Sequence, residues 1–156
     1  MDLRKGFSWP QCFIFGFPAL LCGVIIYLFW PYAKLIAIDL SAILNTYKLN
    51  GISGGLFALY SIIINPILEE LFWRGCFNPS LRKPAFIDLV FAGYHGLALT
   101  LVLQPGYIIA AIGFLAGISW LFRYVKHYNQ GLAIPYFMHL AADISIIASV
   151  WLLTRN

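Results

Sequence analysis

Ionisable side chains interrupt three long apolar stretches of this sequence. The six residues are Glu69, Glu70 and Arg74 in one stretch, His95 in the next, and His139 and Asp143 in the last. Such groups are costly within hydrocarbon and usually mark function in membrane proteins. Carboxylate and imidazole groups transfer protons and bind metals, so acid–base catalysis, a proton relay and a zinc site are all open from residue type alone.

Spacing within the first stretch separates the two glutamates. Glu70 and Arg74 are four residues apart, so on a helix they share a face and can form an ion pair. Glu69 points about 100° away from Glu70 and is free to meet another helix. Arg74 taken alone could instead be an interfacial residue whose charged end reaches the headgroup region.

The two histidines have neighbours at helical spacing. Phe91 lies four residues before His95, so its ring can pack beside the imidazole. His139 and Asp143 are also four apart and can hydrogen-bond, which would fix the imidazole tautomer. Simpler interpretations are a satisfied interhelical hydrogen bond for a histidine and a packing pair for His139 with Asp143. No HExxH zinc motif is present.

The composition requires lipid as the solvent for most of the chain. Hydrophobic residues make up 62% of it and charged residues 10%, whereas soluble domains have roughly 45–50% and about 25%. A soluble globule of 156 residues cannot bury that much apolar surface. An aromatic content of 17% excludes disorder. The net charge of +4 forms no basic stripe, so we expect no nucleic-acid partner.

The apolar stretches predict an all-α, polytopic membrane protein with about five transmembrane helices. The predicted spans are residues 13–30, 54–77, 86–103, 107–125 and 132–153. A span needs roughly 20 apolar residues. Residues 35–47 are too few, so we expect a short interfacial or re-entrant helix there.

Basic residues predict the orientation, because cytoplasmic loops carry an excess of Lys and Arg. We expect the N-terminus inside and a first span retained as an anchor. The residues then inside are Arg4, Lys5, Arg82, Lys83, Arg123 and Lys126, and those outside are Lys34, Lys48 and Arg155.

This topology places the unusual groups at a common depth. Glu69, His95 and His139 each lie roughly 10–14 Å from the cytoplasmic ends of their spans. Scattered structural polar residues would have no reason to agree in depth, so one shared site is indicated. The fourth predicted span contributes no such group. Asp88 is expected to interact with the helix dipole at the start of the third span.

The polar residues form three short motifs on successive predicted helices. Residues 69–74, EELFWR, match EExxxR; residues 91–95, FAGYH, match FxxxH; and residues 139–143, HLAAD, match HxxxN/D. In this order they resemble the CPBP family of CAAX prenyl proteases and bacteriocin-processing enzymes. The resemblance covers about residues 65–148.

That resemblance implies a glutamic intramembrane endopeptidase that uses no cofactor and no metal. By position in the motifs, Glu69 would be the general base and His95 would hold and polarise the water. His139 and Asp143 would stabilise the oxyanion. The side chains that would support the site are Glu70, Arg74 and Phe91.

The same resemblance implies a bacterial inner membrane as the location and a membrane-associated peptide or protein as substrate, met in the lipid bilayer. Residues 51–156 would form the catalytic bundle, and residues 1–50 would form a membrane anchor with the short helix. Nothing in the sequence fixes the oligomeric state.

Two features depart from the family pattern. Many members have Asn where this chain has Asp143, and an ionised Asp cannot donate to an oxyanion, so Asp143 would orient His139 or stay protonated. The chain is also short for the family, without the accessory helices of other members.

The alternative function is a non-catalytic membrane protein of the same fold, in bacteriocin self-immunity or as a partner scaffold. A proton-coupled transporter is disfavoured by the lack of an internal sequence repeat.

Overall fold

The computed structural model describes residues 7–77 and 83–155, which are helices joined by short turns. The N-terminal helices are α1 (Trp9–Ala19), α2 (Leu21–Ala33) and α3 (Leu40–Thr46). A continuous rod follows, made of α4 (Gly51–Leu59), the π-helix π1 (Tyr60–Ile64), α5 (Asn65–Glu69) and the π-helix π2 (Glu70–Cys76). The remaining helices are α6 (Phe86–Leu99), α7 (Pro105–Asn129) and α8 (Ala133–Leu153). The predicted all-α class is confirmed.

Four apolar helical rods in the described residues are long enough to cross a membrane. They are Trp9–Ala33, Gly51–Cys76, Pro105–Asn129 and Ala133–Leu153. The helix predicted at 86–103 is shorter than expected, because α6 ends at Leu99 after 14 residues. At 1.5 Å per residue α6 is about 21 Å long, and turns at residues 100–104 carry the chain onward. The protein is therefore a polytopic integral membrane protein.

The long helix α8 packs along α1 and α2, which run parallel to it. Gly16 lies beside Ala141, and Gly23 lies beside Ser145 and Ser149. A Cβ atom at Gly23 would collide with the backbone carbonyl of Ser145, so only glycine permits this approach. The Ser149 hydroxyl donates to the carbonyl oxygen of Gly23 at 2.7 Å. The N-terminal helices are thus fixed against the helix that carries His139.

Two ends of the bundle can be distinguished by contacts between helix ends. At one end, Gln104 donates its backbone N–H to Ala33 O at 2.9 Å, and the Ser41 hydroxyl donates to Thr154 O at 3.3 Å. We call this end the carboxy-terminal face. The opposite end, with Phe7, the end of π2 and the start of α8, is the amino-terminal face.

The short helix expected at 35–47 is α3, which has 7 residues. The Asp39 carboxylate caps it by accepting from the N–H groups of Ser41 at 2.8 Å and Ala42 at 3.2 Å. Its contact with Thr154 keeps it at the carboxy-terminal face. Seven residues span only about 10 Å, so α3 does not cross the bilayer.

The described basic residues separate between the two faces in the same two groups that the sequence analysis predicted for the two sides of the membrane. Lys83, Arg123 and Lys126 belong to segments at the amino-terminal face, and Lys34, Lys48 and Arg155 to segments at the carboxy-terminal face. The other three cations of the prediction, Arg4, Lys5 and Arg82, lie outside the described residues. Which face is cytoplasmic stays a prediction.

Two π-helices interrupt the rod that carries the glutamates. Pro66 has no N–H to donate to the carbonyl of Ile62, and its ring crowds that carbonyl. The preceding turn widens into π1, with the N–H of Asn65 bonded to Tyr60 O. The second, π2, begins at Glu70. Such turns displace side chains from ideal helical positions and are frequent at functional sites.

Candidate active site

The Glu69 carboxylate meets side chains from two other helices. Its Oε1 accepts a hydrogen bond from Asn65 Nδ2 at 3.0 Å, one turn earlier. Its Oε2 lies 3.5 Å from His95 Nε2 and 3.9 Å from His139 Nε2. That oxygen is buried and has no hydrogen-bond partner among the described residues. One carboxylate oxygen is therefore positioned by the protein, and the other faces two imidazoles.

Backbone contact fixes how His95 presents its ring. Its Nδ1 lies 2.9 Å from the carbonyl oxygen of Phe91. A carbonyl oxygen only accepts, so Nδ1 carries the hydrogen. In the neutral ring, Nε2 is then a hydrogen-bond acceptor turned toward Glu69. The Phe91 ring packs beside the imidazole, with 4.4 Å between centroids, as its spacing predicted.

The ion pair of Glu70 and Arg74 forms as the spacing predicted. Arg74 Nη1 lies 3.1 Å from Glu70 Oε1, and each side chain is 1% exposed. The guanidinium lies over the ring of Phe91 at 4.5 Å and near that of Phe122 at 5.2 Å. Arg74 is therefore a buried cation inside the bundle and is paired with a carboxylate of its own helix.

His139 joins the two glutamates, a contact that the sequence did not indicate. Its Nδ1 lies 2.9 Å from Glu70 Oε1, which fixes the hydrogen on Nδ1 because the ionised carboxylate only accepts. Its Nε2 then faces Glu69 Oε2 and Asp143 Oδ2. Glu70 thus does more than hold Arg74, since it also orients the imidazole.

Asp143 does not make the hydrogen bond expected with His139. Its Oδ2 lies 3.8 Å from His139 Nε2, beyond hydrogen-bond distance. The Asp143 side chain is 19% exposed, more than that of His139 or Glu69. The helical spacing brings the two groups to one face, but Glu70 supplies the direct partner of His139.

A second buried polar cluster lies at the start of α6. The Asp88 carboxylate accepts from Arg123 Nη2 at 2.6 Å, from Ser119 Oγ at 3.0 Å and from the backbone N–H of Ala85 at 2.9 Å. Arg123 also donates from Nη2 to Lys83 O at 2.8 Å.

This cluster corrects one expectation from the sequence and adds to another. The expectation that the fourth span contributes no buried ionisable group is wrong, because Arg123 is 4% exposed and lies within α7. Asp88 caps α6 but is mainly the partner of that cation. The spacing of Ser119 and Arg123, four residues apart in an apolar helix, was the available signal. The cluster fixes the start of α6, and hence the helix of His95, against α7.

No group of three or more His, Cys, Asp and Glu side chains within 7–77 and 83–155 is arranged to hold a metal ion. The independence from metals that the sequence resemblance implies stays a prediction.

The bundle and its cluster define a class of protein, an integral membrane protein with a Glu–His site between helices. Residues 52–145 match the sequence model of a family described as type II CAAX prenyl endopeptidase Rce1-like. The match covers more than half of the 156 residues. The chain belongs to this family of CAAX proteases. Every side chain of the cluster, from Asn65 to Asp143, lies within the matched segment.

Neither the curated proteins nor the solved structures contain a match to the chain. The family match begins at residue 52 and leaves out α1, α2 and α3. The division of the chain at residue 50 stays a prediction.

Proposed function

We propose that the protein is an intramembrane endopeptidase that hydrolyses a peptide bond of a membrane-associated peptide or protein. The observation that carries the proposal is the placement of Glu69 Oε2 within 3.5 Å of His95 Nε2 and 3.9 Å of His139 Nε2. A carboxylate and imidazoles at this distance suit general acid–base catalysis. Family membership supports a peptidase over a non-catalytic protein of the same fold.

Water activation would involve Glu69 and His95. Both Glu69 Oε2 and the neutral His95 Nε2 accept hydrogen bonds, so a water bound between them can donate to each. The water oxygen forms a bond to the carbonyl carbon of the scissile peptide, and its proton passes to Glu69. Asn65 holds the other oxygen of the base and limits its rotation.

Collapse of the tetrahedral intermediate completes the reaction. The carbonyl oxygen becomes an oxyanion, which His139 stabilises by donating from Nε2 when both ring nitrogens are protonated. The carbon–nitrogen bond then breaks, and the proton held by Glu69 passes to the leaving nitrogen. Glu70 keeps the His139 ring in place through Nδ1. Asp143, on the open side of the cluster, faces the same nitrogen.

The surroundings of the cluster suit a substrate that arrives through the bilayer. On the glutamate helix Leu68 and Phe72 are half exposed, and on α6 Tyr94 and Leu97 are exposed. These apolar residues neighbour Glu69 and His95 in sequence, so the helix surfaces beside the site favour lipid over water. A peptide or protein held in the membrane can reach such a site without leaving hydrocarbon.

The substitution Glu69→Gln tests the proposal. The amide preserves volume but cannot accept the proton of water, so we expect insertion to persist and cleavage to fall below detection. Comparative membrane proteomics of cells with wild type and the variant should show one substrate that stays uncut. A synthetic peptide of that substrate and the purified proteins then give the rate.

The matched control is Asp39→Asn, also a carboxylate-to-amide change, at the far end of the bundle. Asn caps a helix about as well as Asp, so cleavage should equal that of wild type. Cleavage by Glu69→Gln at the wild-type rate would show that Glu69 is not the general base.

A further inference from the structure

One face of α7 contacts all three helices that carry the candidate active site, although no member of the Glu–His cluster lies on α7. The residues of this face follow one another at helical spacing and are Ser119, Phe122, Arg123 and Lys126. Ser119 and Arg123 bind Asp88 at the start of α6. The centroid of the Phe122 ring lies 5.2 Å from Arg74 Cζ and 5.9 Å from the centroid of the His139 ring.

Lys126 binds the end of the glutamate helix. Its half-buried side chain donates from Nζ to the backbone carbonyl oxygen of Arg74, in the last turn of π2. The last carbonyls of a helix have no donor within it. The N–H of Phe77 bonds to Phe72 O, five residues earlier. In that register the donor to Arg74 O would be residue 79, which is Pro79 and has no N–H. Lys126 supplies a donor there, and its positive charge suits the C-terminus of a helix.

Two contacts of α7 thereby connect the helix of Glu69 with that of His95. Lys126 binds the end of the glutamate helix, and Arg123, three residues earlier on the same face, binds Asp88 on α6. Both contacts lie within one turn of α7, so the two helices cannot separate there unless one contact breaks. Between these helices Glu69 Oε2 lies 3.5 Å from His95 Nε2.

We propose that Lys126 is a positioning residue of the active site, which acts through the carbonyl of Arg74. It holds the glutamate helix at the separation from His95 that activation of the water requires. Reacting groups must be kept in a productive geometry, and a misplacement of about 1 Å can lower a rate about 10²-fold. The catalytic role rests on the proposed function, whereas the connection between the helices does not.

Histidine NMR measures the connection without proteolysis. The chain has three histidines, so with the exposed His127 replaced by Gln, isotopically labelled histidine reports on His95 and His139 alone. The proton on His139 Nδ1 is bonded to Glu70, so its chemical shift reports a movement of the glutamate helix. Lys126→Met keeps the length of the side chain but removes the donor, and it should move this resonance. Unchanged imidazole resonances in this variant would overturn the proposal.

Two further variants separate the lost donor from the substitution itself. Lys126→Arg keeps a donor and the charge, so it should leave the His139 resonance in place. Lys48→Met makes the same chemical change as Lys126→Met at an exposed lysine beyond α3, and it should leave both imidazoles unaltered. A resonance that moves equally in all three variants would count against the proposal.

Lys126→Gln takes the place of Lys126→Met if the latter does not fold. Its shorter amide still donates but carries no charge, so the His139 resonance should move by less. Loss of the folded protein in both variants would show that Lys126 is required for folding, and this would overturn a positioning role.

The catalytic role has its own readout. In the peptide assay, Lys126→Met should lower kcat about tenfold or more and leave KM unchanged, because the reacting groups are displaced and the substrate contacts are not. Lys126→Arg should restore most of kcat. A wild-type kcat in Lys126→Met, or a change confined to KM, would overturn the positioning role. If wild type cleaves nothing, the proposed function fails, and the NMR comparison still decides whether Lys126 holds the glutamate helix.

Discussion

His139 connects the two adjacent glutamates of the site, although they point to different sides of their helix. One ring nitrogen contacts Glu70 at 2.9 Å, and the other faces Glu69 at 3.9 Å. Adjacent residues on a helix diverge by about 100°, so a single side chain reaches both only by lying between them. Glu70, Arg74 and His139 form one buried unit. Substitutions at the two glutamates should therefore differ in their effects on stability and on activity.

Glu70→Gln should destabilise the protein more than Glu69→Gln does. The change leaves the Arg74 guanidinium without its carboxylate where both side chains are 1% exposed. Breaking such a buried pair costs about 3–5 kcal/mol. Thermal unfolding of the purified protein in detergent should show a clearly lower Tm.

Glu69→Gln is the matched control, since it makes the same chemical change one residue earlier, at a carboxylate without an arginine partner in the described residues. Its Tm should stay close to that of wild type. Equal Tm values for both variants and wild type would show that the Glu70–Arg74 pair contributes little to stability.

Asp143→Asn should preserve or raise activity. The carboxylate that contacts the His139 ring is Glu70, at 2.9 Å, whereas Asp143 Oδ2 lies 3.8 Å from His139 Nε2. Asp143 is therefore not needed to orient the ring. An Asn side chain at this place can donate to the oxyanion, which an ionised Asp cannot. The rate of peptide cleavage by the purified variant measures this.

Asp143→Ala provides the comparison for that measurement. One oxyanion donor is commonly worth about 10²–10³ in rate, so the alanine variant should be slow while the asparagine variant is not. If both variants lose activity to the same extent, Asp143 acts through its charge on His139.

At the scale of elements, α8 is the helix along which α1 and α2 pack, and the close approach of α2 to α8 depends on Gly23. Gly23 donates its N–H to Ser145 Oγ at 3.1 Å and accepts from Ser149 Oγ at 2.7 Å. Both serines lie beyond Asp143 on α8. The position of α2 therefore bears on the helix that presents His139 and Asp143.

Gly23→Ala should separate α2 from α8 and lower the Tm. The new Cβ would meet the backbone carbonyl of Ser145, which cannot move aside as a side chain can. Overpacking of this kind costs about 1–3 kcal/mol. Thermal unfolding in detergent provides the measurement.

The control is Gly113→Ala in α7, where an added Cβ has no atom within 4 Å. Alanine favours a helix over glycine by about 1 kcal/mol, so this variant should be as stable as wild type or more so. A Tm for Gly23→Ala as high as that of Gly113→Ala would contradict the close contact.

At the scale of the whole molecule, the helices gather the site near one end of the bundle. The glutamate helix, α6 and α8 each contribute one member of the Glu–His cluster, and the Asp88–Arg123 pair holds α6 against α7. No single helix carries all members of the cluster, so the proposed activity depends on the assembled bundle.

The protein should act without a metal ion. EDTA or phenanthroline should leave the cleavage rate of the purified protein unchanged, because the proposed chemistry is supplied by Glu69 and His95. A zinc-dependent peptidase assayed in parallel serves as the positive control. Stoichiometric zinc, lost together with activity and restored with it, would contradict the glutamate mechanism.

The sequence by itself determined the features that depend on composition and period. Its apolar content required lipid, its turn residues set α7 and α8 to within a few residues, and i,i+4 spacing gave the pair of Glu70 and Arg74. Counting residues from span ends also placed Glu69, His95 and His139 at one depth. These are properties of single helices, and they follow directly from the rise and the period of the α-helix.

Only the tertiary structure decided which side chains meet. The contact of His139 with Glu70 joins residues 69 apart in sequence, and that of Arg123 with Asp88 joins residues 35 apart. Each depends on how two helices are rotated about their axes, which the period of one helix does not specify. The π-helices around Glu69 add a local rotation of their own. The position of a residue along its helix, and the face of the helix on which it lies, can thus be predicted from the sequence. Which faces of two helices meet is decided by packing across the whole bundle.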